Sequence, residues 1–499
     1  MVNACHRDAF ARALAEGRVT PLVIPYSLLG AFFVPVLWLT IPHARRPWLY
    51  QTRWLVMAFV VAFNVNVIRQ TSSPNVAFAY ATGLMAAWGI ISNLNLLVWT
   101  RPQFDAARAV RLSKRPGPAP TTNRPTRQAS AWTRDPRQRF VWQPFPADGP
   151  FLQRLGWALD LACSFRGSGW SWSITSIPRP PLPLVARPGE PVDLDSMPRV
   201  SRSGYERCLT EGAFVRKRLI SVALMYLALD LGAVLLVKDP YFVLGPDHAH
   251  EPPPYLRGVP VWLLLAYREL MSLAGILSAI QGIFSLHDLL QYGLLKFCFP
   301  SRAAPWFHAS TFGDFSQVLD RGLAGWWGAF WHQTFRHQFV APSAYLVKHG
   351  YLVKGRPSAA MMGVFVSFLQ SGLLHASGSI TSMPETKPWR PVAFFLLQAV
   401  GIIVERTLRG AMSRCFSKSP RLVTRAANLL FTASWLYMTA TFIIDDLAAA
   451  GLWVLEPIPV SPLRCLGYGH AIDHWWLWDR HHFSRWSSGK HWWESGVAI

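Results

Sequence analysis

The chain has 499 residues, of which 51% are hydrophobic and only 15% charged, with 24 tryptophans and a formal net charge of +22. Such a composition excludes a set of ordinary soluble domains, and its recurring long apolar runs mark a polytopic membrane protein. The positive excess then belongs to loops facing anionic lipid on the cytosolic side and does not require nucleic acid.

In chain order, residues 1–18 are polar and belong at the surface. The first predicted span, 19–41, tolerates Pro25 and Pro35 as kinks; it follows a polar start and is long enough to cross, so it does not read as a cleavable signal. Further spans are predicted at 54–68, 75–99, 219–237, 261–290, 359–380, 391–408 and 427–455, eight in all. The basic segments 43–53, 101–217, 296–356 and 409–425 then fall on one face, with a lumenal N-terminus. Four regions result: 1–100, N-terminal membrane spans; 101–217, a basic cytosolic loop; 218–456, the membrane domain with the candidate chemistry; and 457–499, a tail rich in Trp and His.

Within the loop, 101–139 is rich in Arg, Pro, Thr and Ser and reads as disordered. Downstream, SFRGSGWSW (164–172) reads as an aromatic turn at the interface with glycine hinges. It is no Walker loop, because no GK[ST] follows. Span 261–290 carries Arg268, Glu269, His287 and Asp288, so part of it must face protein or water. Residues 312–339 read as a loop followed by a short interfacial or partly inserted helix. Glu405 sits near the basic end of its span, and Asp445 and Asp446 near the end of the last, where solvated carboxylates are expected. The six cysteines (Cys5, Cys163, Cys208, Cys298, Cys415, Cys465) form no CxxC pair, disulfide framework or zinc spacing. In the tail, His470 and His474 have metal-ligand spacing but no acidic or Cys partners, and an interfacial aromatic belt is the expected role.

Two blocks carry candidate chemistry. In FWHQTFRHQF (330–339), helical spacing would place His332 beside Arg336 and Gln333 beside His337. In FLQSGLLHASG (368–378), Ser371 and His375 stand one turn apart in an apolar segment, where polar groups are costly unless satisfied. We expect His332 and His375 to meet in one buried pocket. Histidine is the commonest general base, and an apolar site keeps it neutral and able to accept a proton. His375 therefore reads either as a base or as a packing histidine bonded to a neighbouring span. His332 and Gln333 read either as hydrogen-bond donors to an oxyanion or as part of a snorkelling helix whose Arg336 faces lipid headgroups.

Arg166-Gly-Ser-Gly-Trp170, then Trp331-His332-Gln333, then Ser371-Gly372-x-x-His375, in that order, resemble the fungal wax-synthase-like branch of the membrane-bound O-acyltransferase superfamily, across roughly residues 150–455. The resemblance implies an all-α helical bundle around a central tunnel and acyl transfer from acyl-coenzyme A to an alcohol. His375 would be the base and His332 its catalytic partner, with Trp331, Gln333, Arg336, Ser371 and Gly372 lining the substrate site. Acetyl-CoA is the implied cosubstrate, with no permanently bound cofactor or metal. The implied acceptor is a terpenoid or other secondary-metabolite alcohol, and the implied setting is the lipid of the endoplasmic reticulum; nucleic acid has no role, and self-association is compatible with it. Where relatives carry an arginine-rich run, this chain has GWWGAF (325–330). Arg336 and Lys348, with Lys354 and Arg356, are then the candidates for the coenzyme phosphates, against the simpler reading of the lysines and Arg356 as positive-inside loop charges. A long-chain wax-ester synthase, a terpene cyclase using Glu405, Asp445 or Asp446, and a transporter or structural membrane protein are the competing readings.

Overall fold

Proline and hydroxyl or amide caps decide where the long apolar runs become helices. The computed structural model describes residues 2–112, 139–183, 185–248, 251–383, 386–412, 419–469, 474–478 and 482–499. The first helices are α1 (Val2–Ala15), α2 (Val34–Thr40), α3 (Pro47–Gln51), which runs on into α4 (Arg53–Gln70), and α5 (Val76–Leu94). Asn75 caps α5, its side chain accepting from the amides of Ala77 and Phe78. Two short helices follow in the loop, α6 (Pro102–Asp105) and α7 (Phe151–Ala162). The chain continues through α8 (Glu211–Leu236), capped by the Thr210 hydroxyl, α9 (Pro240–Leu244) and α10 (Val261–Cys298). Then come α11 (Ser316–Gly325), α12 (Arg336–Lys348), α13 (Pro357–Thr381), α14 (Trp389–Ala411), α15 (Arg421–Thr439) and α16 (Thr441–Ala449). Prolines 260, 388 and 420 occupy the N-caps of α10, α14 and α15, and Pro357 opens α13, positions where a missing N–H costs nothing.

The protein is an all-α integral membrane bundle. Among the described residues, six helical stretches are long and apolar enough to cross a bilayer: Pro47–Gln70, Val76–Trp99, Glu211–Leu236, Val261–Cys298, Pro357–Thr381 and Trp389–Ala411. The pair α15 and α16, bent by 41°, makes a seventh if counted as one span. Among the described residues six or seven spans thus stand where about eight were expected. The difference lies at 19–41, where Thr20–Pro21 and Val23–Ile24 are short strands, β1 and β2, and the apolar helix is confined to Tyr26–Thr40. Strand-paired backbone before Pro25 shortens the helix below bilayer length. Span 261–290 instead extends to Cys298. Nor is the N-terminal segment purely superficial, since His6, Phe10 and Ala13 of α1 are buried.

The N-terminal spans pack straight onto α13. A Cβ at Gly83 of α5 would lie 1.9 Å from the Ser377 carbonyl oxygen, so the two backbones touch where only glycine fits. Beside that crossing the Thr381 hydroxyl donates to Ala79 O (2.7 Å) and accepts from Gly83 N (3.0 Å). Strand β3 (Thr71–Ser72) pairs with β1, and Ser72 Oγ donates to Thr381 O at 2.6 Å. On its other side α13 packs against α14, with Gly372 against Val392.

The basic loop is partly built. Residues 113–138, most of the expected disordered stretch, lie outside the described residues, but β4 (Ala107–Arg111) pairs antiparallel with β5 (Phe140–Pro144). The RGSGW turn is glycine-hinged as expected, with φ of +64° at Gly167 and +72° at Gly169. It is not interfacial: Trp170 is fully buried against Trp157, and Ser171 N bonds to Ala107 O at 2.8 Å. Arg166 donates to the carbonyls of Ser310 (2.7 Å) and Ala309 (3.0 Å), fixing the turn beneath the segment before α11. Two charges of α10 face protein: Arg268 clasps Asp239 (2.8 and 2.9 Å), and Asp288 pairs with Arg218 (2.8 Å) and His308 (3.2 Å), while His287 is exposed. In the tail, β7 (Gly496–Ala498) joins β2 and β6 (Arg485–Ser487) in one sheet, so these residues pair with the N-terminal region as well as exposing tryptophans. His470 lies outside the described residues, and His474 is exposed.

Candidate active site

The sequence GWWGAFWHQTFR packs large rings around two small residues, too crowded for an uninterrupted α-helix. Residues Trp326–Phe330 widen into a π turn, and Trp331 then leaves helical geometry at φ −58°, ψ 149°. Residues 331–335 are therefore a loop and not the helix that the i, i+4 reading assumes. That loop leaves carbonyls exposed, and its own side chains satisfy them. Gln333 Nε2 donates to Trp327 O (2.9 Å) and Trp331 O (2.7 Å). Arg336 donates to Gly328 O (2.8 Å) and to Gln333 Oε1 (2.6 Å). Gln333 and Arg336, both expected at the substrate, are thus engaged by carbonyls that the π turn and loop leave free.

From the loop His332 projects among Phe284, Trp331 and Phe335, with ring centroids 5.4–5.9 Å away. Its Nδ1 is buried with no protein partner. His337, on the first turn of α12, faces Trp172 (5.2 Å) and takes no part in the same cluster.

His375 lies on α13, its ring stacked on Phe395 of α14 at 5.0 Å and 18°. Nδ1 is 3.3 Å from the Tyr80 hydroxyl of α5. Both histidines retain some accessible surface, although rings surround them. The wall between them is continuous: Phe395 to Trp327 (6.0 Å), Trp327 to Trp331 (5.5 Å), Trp331 to His332 (5.4 Å). His375 and His332 thus stand at the two ends of one run of three aromatic rings.

The other predicted residues are placed as follows. Ser371 is half-buried, one turn before His375, with no hydrogen bond among the described residues. Gly372 faces α14, a Cβ there meeting Val392 Cα at 2.9 Å, so it sets the helix contact. Trp331 contributes its ring to the wall, and its carbonyl accepts from Gln333 and Tyr205. Lys348 ends α12 and is exposed. Of the two carboxylates expected to be solvated, Asp446 is fully buried, bound by Ser379 Oγ at 2.8 Å, while Asp445 stays partly exposed and accepts from the Tyr241 hydroxyl at 2.7 Å. Glu405 caps the amides of Leu323 (3.1 Å) and Ala324 (3.2 Å).

Tyr80 and Phe395 were not legible as site residues. Tyr80 is the sole tyrosine of α5, which is a signal, but nothing local names its partner nearly 300 positions away. A surface cleft of about 490 Å³, lined by Arg199, Glu206, Arg216 and Lys217 among others, lies apart from the histidines.

Residues 308–397, which include both histidines, match the family described as membrane bound O-acyl transferase. The chain is similar to an O-mevalon transferase of Aspergillus niger, 26% identical over 274 residues, covering 51% of this chain and 53% of that one. It is similar to an acetyltransferase of Aspergillus fumigatus, 27% identical over 259 residues (50% of this chain, 38% of the relative). A third, an acetyltransferase of Rhodocybe pseudopiperita, is 26% identical over 285 residues (57% and 64%). The chain thus spans between about a third and two thirds of these relatives. No solved structure matches.

Proposed function

We propose that this fungal-type relative of the membrane-bound O-acyltransferases moves an acetyl group from acetyl-CoA to the hydroxyl of a terpenoid or other secondary metabolite, in the endoplasmic reticulum. The observation that supports the reading is the single run of aromatic rings that links His332 to His375, inside the stretch that matches the family. An alcohol needs a base to become a nucleophile, and a thioester is already an activated acyl donor. His375 Nε2 takes the hydroxyl proton as the oxygen attacks the thioester carbonyl. His332 donates a hydrogen bond to the oxyanion that forms; the donors of such a hole are typically worth ~10²–10³ in rate. Collapse of the tetrahedral intermediate expels the coenzyme thiolate, which takes the proton back from His375, leaving ester and free coenzyme A. Trp331 and Ser371 border the acyl group. Gln333 and Arg336 hold the His332 loop in place, and exposed Lys348 meets coenzyme phosphates at the mouth.

A terpene cyclase would need a carboxylic acid free to protonate an alkene. Glu405, Asp445 and Asp446 are instead engaged by backbone amides, Tyr241 and Ser379, which favours acyl transfer. The test is microsomes containing the protein, labelled acetyl-CoA and a panel of hydroxylated terpenoids. Coenzyme-dependent ester is expected, and His375→Ala should abolish it at unchanged protein abundance. Turnover retained in that variant would overturn the assigned base, and transfer only from long-chain donors would replace acetyl with a wax-ester chemistry.

A further inference from the structure

A histidine can act as a base at one nitrogen only if the other is held. For His375 the holder comes from a different part of the chain. Tyr80 Oη lies 3.3 Å from Nδ1 and the tyrosine is 5% exposed, while Phe395 stacks on one face of the imidazole. Nε2 has no partner among the described residues.

Two neighbours fix the phenol. The first is Gly378, three residues after His375 on α13: a Cβ there would lie 2.8–3.0 Å from Cε1, Cδ1 and Cζ of Tyr80. The ring thus rests on bare backbone, one helical turn from the imidazole it touches. The second is the crossing of α5 and α13 beside it, where Gly83 meets the Ser377 carbonyl and the Thr381 hydroxyl donates to Ala79 O, holding Tyr80 against α13. Where the Tyr80 oxygen accepts from Nδ1–H, that nitrogen is the donor of the imidazole. That selects the tautomer with a free lone pair on Nε2.

We infer that Tyr80 is the positioning residue of His375, seated on Gly378 and held at the crossing of α5 and α13, so that the N-terminal spans complete a reaction centre whose histidines lie in the other half of the chain. The inference rests on the acyltransferase reading above.

Tyr80→Phe tests it, since the ring stays on Gly378 and only the hydroxyl is lost. In purified full-length protein, kcat should fall about tenfold or more, with KM for donor and acceptor within about twofold and the melting temperature nearly unchanged. Gly378→Ala should lower kcat similarly by displacing the ring, and adding it to Tyr80→Phe should cost little more. Unchanged kcat in Tyr80→Phe, beside a dead His375→Ala, would overturn the role of Tyr80 and leave the acyltransferase reading intact. Full activity in His375→Ala would overturn both. Equal loss of kcat and of folded protein in Tyr80→Phe would mark a packing role and likewise overturn the inference.

Discussion

The hydroxyl of Tyr205 donates to the backbone carbonyl of Trp331 across 2.7 Å, tying this fully buried residue of the long basic segment to the residue just before His332. The same carbonyl accepts from Gln333, so the loop that presents His332 is held from inside and outside at one atom. Tyr205→Phe keeps the packing and removes one of the two donors. A loss of about 1 kcal/mol in stability is expected, with a several-fold fall in turnover as the loop loosens. Detergent melting curves and ester formation per folded molecule measure the two separately.

Gln333 is the sharper case, because three hydrogen bonds of the loop pass through one amide. Gln333→Leu leaves buried carbonyls and the Arg336 guanidinium short of partners, at about 1–3 kcal/mol for each unsatisfied group. Protein abundance and activity should fall together. Full abundance with lost kcat would instead mark Gln333 as a direct partner of the substrate.

For His332 the expectation is reversed. Its Nδ1 has no structural partner to lose, so His332→Ala should leave abundance near that of the native protein and lower kcat by ~10²–10³. Immunoblotting of membranes beside single-turnover acyl transfer makes the comparison. A collapse in abundance with normal specific activity would contradict it.

Glu405 supports the loop from α14. By accepting from Leu323 and Ala324 it caps the segment that leads into the π turn, and Arg409 stands 3.4 Å away. Glu405→Ala leaves two amides with no side-chain acceptor and should destabilise the protein by at least about 2 kcal/mol, lowering its yield in membranes. Glu405→Gln retains one acceptor oxygen and should fall between the alanine variant and the native protein.

Asp320 of α11 holds Arg425 (2.7 and 3.1 Å) and Arg421 (3.2 Å) of α15. These contacts, the hydrogen bond from Arg425 first, push its carboxyl down to about 2. A depressed carboxyl pKa stabilises the fold above the ordinary carboxylate range and loses that contribution as pH falls toward 2. Melting temperature should therefore drop with acid over that window, and Asp320→Asn should show a smaller drop. Identical acid profiles would remove the pair from the account.

How far the sequence reaches differs from one element to the next. Apolar length and caps place the spans 75–99, 359–380 and 391–408 within three residues of their helices, because hydrophobic run and helix boundary are local properties, whereas 219–237, 261–290 and 427–455 miss an end by six to eight residues. The two histidine blocks were legible too, since a polar group in an apolar run needs a reason wherever it sits. Local pattern failed where a carbonyl's partner came from elsewhere. Residues 331–335 carry helical spacing yet form a loop, because Gln333, Arg336 and Tyr205 satisfy its carbonyls in place of the next turn. Asp446 looked solvated at the end of a span and is buried on Ser379. Tyr80 could be matched with His375 only by a crossing of α5 and α13 that depends on Gly83 and Gly378 meeting backbone and ring at van der Waals distance. The sequence by itself determined which residues could do chemistry in a membrane; tertiary structure alone decided which of them touch, since hydrogen bonding and close packing join side chains irrespective of their separation along the chain.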